Sequence, residues 1–574
     1  MKRILSLFAA VCLLAALFAG CGGDPGNPAG GTAAPAQTAA PTAEPASPYR
    51  FAKGNYPVDD QGFPTAKYNY DLPITTTDEI LTMWTTNRCP QYLPEGGYGE
   101  ESLPQEVLRR TGVKVEYSVI SPANRGDQFS VLIASDDLLD IMCGAESFYT
   151  GNFKNAILDD GYFVNLYDYR EYMPNYLYEA RVDPTDYDTL SRVFEQPTLI
   201  MSFYGLSENN NLKNGYFARG DWLNHAGWKN TDIVTFDDTY DMLMYFKSQE
   251  GCEYPMTLYS SMEQFGLNEW VGYDTYCSCS GINTVYVVDG KVRLANMNDN
   301  DKELMTMVNK WFTDGLIDPN WASYSSTLDF EAKIDTSELG YVMGGATSIL
   351  THNAVIPEGE EVGWVPIGKP LLYEGQTLHL GFNVKRISWG SAAISTKCEN
   401  VPLAVSWLDY RYSEDGKDLY GYGVQGVSWE YDANGERWIL DEVVNHPAHW
   451  SMIMCTYALN TLAEPGISVD SDMSIKGYEV GKDYLQYWTD VPHDNNYVYP
   501  SSVKYTDEER DERGRLGGDI ESYLSENYLA FVDGSKPLSE WDAYVEQLHE
   551  IGIDKVLEIY QAAYDRFMAE RAAA

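Results

Sequence analysis

Apolar positions follow three regimes along this chain of 574 residues. From Ile4 to Phe18 they are continuous apart from Ser6, a run too short for a comfortable bilayer-spanning helix. From Gly22 to about Ser47 the chain is Gly, Pro, Ala and Thr with almost no large side chain, so it has no core to bury and is expected to be disordered. Periodicity starts near Tyr68. Glu79–Trp84 predicts a first strand running into a loop, Thr85 to Arg88. The stretch with Val107 and Leu108 predicts a helix closed by Thr111-Gly112, Gly suiting the left-handed turn of a helix C-cap. Val113–Tyr117 alternates as a strand does, Phe129–Ser135 predicts a helix, and Leu138–Met142 a buried strand. This β–α–β–α–β alternation argues for an α/β lobe with a mainly parallel sheet. Near the other end, Ile520, Tyr523, Leu524, Tyr528, Leu529 and Phe531 share helical spacing and stop near Asp533-Gly534. Val556, Leu557, Ile559, Tyr560, Ala563, Tyr564 and Phe567 form a second stripe. Thr506 with Glu509 three residues on predicts a capping box opening a charged helix to Arg515.

Composition removes whole classes of function. Lys+Arg 40 against Asp+Glu 85 leaves a net charge of −45, which repels nucleic acid and anionic lipid surfaces. Of nine Cys, Cys12 and Cys21 lie in the first segment; the other seven (Cys89, Cys143, Cys252, Cys277, Cys279, Cys398 and Cys455) are too scattered for a disulfide framework and read as small core residues. Cys277 and Cys279 lack the further ligands of a zinc site, and His446 and His449 read as a surface pair. Asn296–Asp301 and Asp183–Asp188 are rich in oxygen ligands but lack the central Gly of a calcium loop, so no metal and no cofactor is expected. No G-x-S-x-G elbow, H-E-x-x-H or phosphate loop is present, and no catalytic residue is assigned.

The N-terminus combines Lys2 and Arg3, the apolar run, and the small pair Ala19-Gly20 before Cys21. This is the layout of a secretory signal, and Phe18-Ala-Gly-Cys21 resembles the lipobox of bacterial lipoproteins, in which that Cys is lipidated and becomes the mature N-terminus. The expected product has a signal over 1–21 and a tether and lead-in segment over 22–67. A folded body over 68–574 is then held by lipid on the extracellular face of the cytoplasmic membrane, in a Gram-positive organism.

Leu108-Arg-Arg-Thr-Gly-Val-Lys-Val115, then Leu132-Ile-Ala-Ser-Asp-Asp-Leu-Leu-Asp-Ile141, resemble the "TG-V" and "ASGD-PDI" phrases of family 1 extracellular solute-binding proteins, with Asp137 read in place of the Gly and Leu139 in place of the Pro. Gly215–Leu223, Trp311–Pro319, Ala393–Ser395, Tyr422–Gly426, Trp541–Val545 and Ile559–Arg566 resemble further phrases of that family in order, covering roughly residues 70 to 570. The calcium loop of some long members is not matched at Lys247–Pro255. The resemblance implies a two-lobed type II periplasmic-binding-protein fold, α/β, with a hinge, an interlobe cleft and a helical C-terminal segment. Lobe one is expected over about 70–195 and 375–475, lobe two over about 196–374 and 476–570. It further implies a monomeric receptor, not an enzyme, that captures an oligosaccharide and passes it to the permease of an ABC importer.

Sugars offer flat C–H faces ringed by hydroxyls, so a binder stacks rings on the faces and sets polar groups around the edge. With 14 Trp, 44 Tyr and 19 Phe, rings are plentiful. In doubly wound lobes, ligands lie beyond the strand C-terminal ends. That rule and the resemblance select Trp84, Asn87, Arg88, Glu146, Tyr149, Trp270 and Trp429 as ligand contacts, while Arg219, Asp221 and Trp222 are assigned to lobe packing and the crossover. The competing readings are a peptide-binding or sensing lipoprotein, a secreted glycoside hydrolase, whose two carboxylates would stand about 5–9.5 Å apart, and a surface adhesion protein.

Overall fold

The computed structural model describes residues 47–183, 186–208, 214–258, 270–277, 284–324, 331–336, 338–354, 363–382 and 386–573. The signal, Cys21, the tether up to residue 46 and Cys279 lie outside the described residues. The folded unit opens at Pro48, ahead of the expected Tyr68. Tyr49 bridges Thr75 and stacks on Phe51 at 5.0 Å, Ala52 is buried, and the Arg181 guanidinium covers Phe63 at 4.5 Å. These anchors stand among Pro, Gly and polar residues without a period, which hid them from pattern reading.

The chain first builds β1 (Ile80–Thr86), β2 (Lys114–Ile120) and β3 (Ile141–Cys143), with β2 and β3 both parallel to β1. Helix Ser102–Thr111 connects β1 to β2 and ends on Gly112 at φ 73°, whose amide donates to the Leu108 carbonyl. A Cβ there would strike the Thr75 carbonyl, so both sterics and backbone angle select Gly. Helix Arg125–Ser135 connects β2 to β3 and ends on Asp136 at φ 55°. The family's Gly therefore corresponds to Asp136 and not to Asp137: a short polar side chain takes the left-handed position.

β4 (Phe203–Ser207) completes this stage, and the chain leaves for the second lobe. There β5 (Asn214–Arg219) forms the centre, β6 (Val285–Val288) and β7 (Lys291–Leu294) make a hairpin, and β8 (Tyr341–Gly345) and β9 (Trp364–Ile367) flank β5 antiparallel. β10 (Ile387–Ile394) returns to the first lobe between β3 and β4, antiparallel to both. A hairpin, β11 (Trp429–Tyr431) with β12 (Arg437–Ile439), follows, then β13 (Ile467–Ser468) pairs with β4 before the chain leaves again. The first sheet thus runs β2-β1-β3-β10-β4-β13, the second β8-β5-β9. The first crossing lies beyond Glu208 and not near residue 195, because β4 pairs inside the first sheet. Leu378, Leu380 and Phe382 pack with Val271 and Tyr286 of the second lobe, so the return falls after residue 382 and not near 375.

The three crossing segments lie side by side at their first-lobe ends. Ser207 donates to the Arg386 carbonyl at 2.6 Å and Glu208 to the Ser468 carbonyl at 2.9 Å. Charges pin the same ends: Lys417 bridges Glu208 (2.9 Å) and Glu414 (3.2 Å), Lys67 bridges Glu414 (2.9 Å) and Glu179 (2.6 Å), and Arg386 pairs with Glu179.

In the second lobe the core gathers Phe217, Trp270, Trp311 and Tyr341 with the C-terminal helices Asp507–Asp533, Trp541–Ile551 and Ile553–Ala573. The charged helix and the Ile520 stripe are one continuous helix of 27 residues, capped by the Thr506–Glu509 box and ended by Gly534 at φ 78°. Arg219 pairs with Asp221 and lies 4.7 Å over Trp222, which meets Phe246 edge-on at 5.2 Å. This trio fastens the helix Gly220–Ala226 inside the second lobe.

Candidate functional site

β1 and β3 end at Thr86 and Cys143, β4 and β13 depart from the same edge of the sheet, and β10 arrives there. This edge of the first lobe is the one joined to the second. Because β10 is antiparallel to β3, with Ala392 opposite Cys143, the residues before Ser391 project past the end of β3. Gly144 donates to the Ser391 carbonyl at 2.8 Å and fixes that overhang. The register with β4 slips between Ile387 and Ser391, and Gly390 approaches the Glu464 backbone so closely that no Cβ could fit.

Trp389 stands in this irregularity with 77% of its surface exposed. Leu462, on the adjoining loop that Ser391 touches through the Ala463 carbonyl (3.4 Å), is 49% exposed. A single exposed Leu means little, but a Trp held in solvent on a sheet strand calls for a partner. The ground beneath is rigid. Arg411 and Thr85 both bond the buried Glu464 carboxylate at 2.9 Å, and Asn460 donates to the Thr86 carbonyl at 2.8 Å, clamping the loop to the end of β1.

The sequence-derived candidates divide into three groups. Around the end of β3, Glu146 accepts from Arg192 (2.7 Å) and Tyr204 (2.9 Å), while Tyr149 donates to Asp160. Burial, helped by Asp160, pushes the Tyr149 hydroxyl up to about 12, so it stays a donor. Trp84 lies beneath this group and is buried against Phe129, Phe148 and Met142. After β1, buried Asn87 accepts from the Cys89 amide at 2.7 Å, and half-buried Arg88 donates to the Ser451 carbonyl at 3.3 Å. The third group does not join the edge. Trp270 is wholly buried in the second-lobe core between Phe236, Tyr216 and Trp311. Trp429 packs in the β11–β12 hairpin, its indole donating to the Gly423 carbonyl at 3.0 Å and the Arg437 guanidinium 4.4 Å over its ring. Both rings are covered, so neither offers a face for stacking. Sequence reasoning missed Trp389, because Ile387-Ser-Trp-Gly-Ser-Ala-Ala-Ile394 reads as an ordinary strand; the one available signal was Gly390 interrupting it.

His449 caps the helix Trp450–Tyr457 by accepting from the Ser451 amide, and His446 packs edge-on against Tyr92 at 4.6 Å. The Asp301 carboxylate is consumed by Thr275 and by the amides of Met297 and Asn298, Asp186 caps its own helix, and Asp188 accepts from Ser502. Among the described residues no group of three or more His, Cys, Asp or Glu side chains is placed to hold a metal ion. The six described Cys are free thiols, and burial pushes Cys143 up to about 12. Among the described residues, no helix is long and apolar enough to cross a membrane.

No protein-family model matches the chain. Among curated proteins it is similar to the fructooligosaccharide ABC transporter substrate-binding protein FusA of Streptococcus pneumoniae, 22% identical over 509 residues, spanning 82% of this chain and 88% of that protein. The solved structure of FusA in complex with kestose has a TM-score of 0.63 at 18% identity, covering 86% of this chain and all of that one. An extracellular solute-binding protein from Bifidobacterium longum subsp. infantis has a TM-score of 0.66 at 18% identity and the same coverage. The alginate-binding protein AlgQ2 has 0.61 at 21% identity, covering 85% of this chain and 99% of that one. These relatives are substrate-binding proteins and not enzymes. The chain has the two-lobed solute-binding fold and is similar to sugar-binding, family 1 type substrate-binding proteins of ABC transporters, the proteins its motifs resemble.

Proposed function

We propose that this chain is an extracellular receptor, anchored through lipid on Cys21, that captures an oligosaccharide between its lobes and delivers it to the permease of an ABC importer. The observation that carries this reading is Trp389, a ring 77% exposed on a rigid strand at the edge where ligands bind in two-lobed folds. A sugar ring stacks there, while Arg88, Glu146 and Tyr149 supply polar groups around it and Trp84 and Asn87 support the edge from below. Trp270 and Trp429 are packing residues in this scheme. Closure of the second lobe completes hydrogen bonds that the open state lacks, and ligand shifts the population toward the closed form. No bond is broken.

The test is a thermal-shift panel of oligosaccharides and peptides on the chain from residue 22 onward, followed by recovery of each hit. A ligand at a hundred times its Kd stabilises the bound state by about 2.7 kcal/mol. The reading predicts stabilisation by at least one glycan, recovered intact. Stabilisation by peptides alone, or a cleaved glycan, would overturn it.

A further inference from the structure

Deep at the same edge lies a cation with no counterion. Arg125 begins the helix Arg125–Ser135 and is only 7% exposed. Its guanidinium lies 4.9 Å from the ring of Trp84 and 4.8 Å from that of Phe148, two rings that meet each other edge-on at 6.0 Å. One bond is made, from Nη2 to the Cys143 carbonyl; Nε has no partner, and no carboxylate among the described residues pairs with it. The acid whose charge reaches it, Glu464, is engaged by Arg411 and Thr85. Burial pulls the Arg125 pKa below its ordinary value, although a guanidinium remains charged at any physiological pH. The helix that Arg125 opens carries Asp127 in its first turn, but its N-terminus has no side-chain cap. Elsewhere in this lobe buried cations have acids beside them, as Arg386 has Glu179 and Arg411 has Glu464.

A buried charge without a counterion is expensive, and ring faces offset only part of that cost. A carboxylate reaching its free donors would form charge-assisted hydrogen bonds, about twice as strong as neutral ones. The arrangement is next to the platform: Nη2 lies 2.8 Å from where a Cβ on Gly144 would stand, and the Gly144 amide bonds Ser391, two residues from Trp389. We infer that Arg125 receives a carboxylate of the ligand, so that the captured oligosaccharide contains uronic acid residues. The overall charge of −45 does not forbid this. Surface charges are screened beyond about 8 Å at physiological ionic strength, whereas a buried guanidinium acts at contact.

This inference rests on the sugar-capture reading above, and the experiment separates the two. Trisaccharides of galacturonate, glucuronate and mannuronate, each beside its own methyl ester, and neutral trisaccharides are titrated calorimetrically against the chain from residue 22 onward. At least one oligouronide should bind tenfold or more tighter than its methyl ester, and Arg125→Gln should reduce that preference below twofold. If Arg125→Gln does not fold, the wild-type comparison with the methyl ester decides alone. Equal or tighter binding of the esters, binding of neutral sugars only, or a preference that survives Arg125→Gln sinks the inference and leaves sugar capture standing. Binding of no sugar at all removes both.

Discussion

Replacing Trp389 with Ala separates a binding role from a structural one, because the side chain contributes so little to packing. An aromatic side chain of this size carries up to about 250 Å² of surface. With 77% exposed, roughly 190 Å² is free, of which a stacked sugar would cover about half. At about 25 cal/mol per Å² this contributes about 2.4 kcal/mol to binding, a loss of roughly fiftyfold in affinity on truncation. Stability should barely change, within about 0.5 kcal/mol, since an exposed ring away from caps and buried networks has few contacts to lose. The assay pairs urea unfolding of the ligand-free variant with calorimetric titration of whichever glycan stabilises the wild type. Trp389→Phe should fall between the two. An affinity within threefold of wild type in Trp389→Ala, with unchanged stability, would refute the claim that this ring is the platform. A stability loss of several kcal/mol would show that the exposed ring is instead covered in solution.

Three further outcomes are expected. Glu464→Gln strands the buried Arg411 guanidinium and should cost about 3–5 kcal/mol by chemical denaturation, whereas Arg411→Met with Glu464→Leu should recover much of it. The hydrogen bond from Arg109, aided by Arg110, lowers the Glu106 pKa from 4.5 to about 2. A depressed carboxylate stabilises above its unfolded pKa and loses that contribution as pH falls from about 4.5 toward 2; with Arg109 exposed to solvent, the effect is about 1–2 kcal/mol. Glu106→Gln should therefore be less stable than wild type at pH 7 and equal to it near pH 2, as read from urea midpoints at each pH. Finally, Cys21→Ala should move the protein from the membrane fraction to the medium in an expressing Gram-positive host, and retention on the membrane would remove the lipid anchor.

Local grammar was read well where one physical cause acts alone. The Thr506–Glu509 box, and Gly112 and Gly534 as terminators, lie where spacing and backbone angle place them. β1, β2 and β3 appear within a few residues of their expected positions. What escaped depends on long-range pairing. β4 follows the first lobe in sequence, but only the return of β10 beside it assigns it to that sheet, a pairing that no local pattern carries. Candidate rings failed in the same way. Trp84, Trp270 and Trp429 follow or end apolar segments and looked free to leave them, but coverage is decided by chains arriving from elsewhere: Phe129 and Phe148 over Trp84, Trp311 against Trp270, Arg437 over Trp429. Conversely, Trp389 sits in an apolar octet and is exposed because β3 stops short of it.

Rigidity on one side of a hinge gives a modest contact its leverage. The first-lobe ends of the three crossings are joined by backbone bonds from Ser207 and Glu208 and by the chain of charges from Glu208 through Lys417, Glu414, Lys67 and Glu179 to Arg386. Bending at those ends would break several bonds together, so the platform at Trp389 and the first-lobe ends of the crossings move as one piece. Ligand on the platform then acts on the lobe angle alone. Two conformations of a hinged receptor differ by a few kcal/mol, and a ligand shifts them only by its differential affinity. If contacts from the second lobe contribute about 2.4 kcal/mol in the closed form alone, an open-to-closed ratio of about ten to one becomes roughly one to six. Under the proposed function, that would suffice to make the closed form a signal of loading, yet remain small enough for a partner that prefers the open form to draw the cargo out.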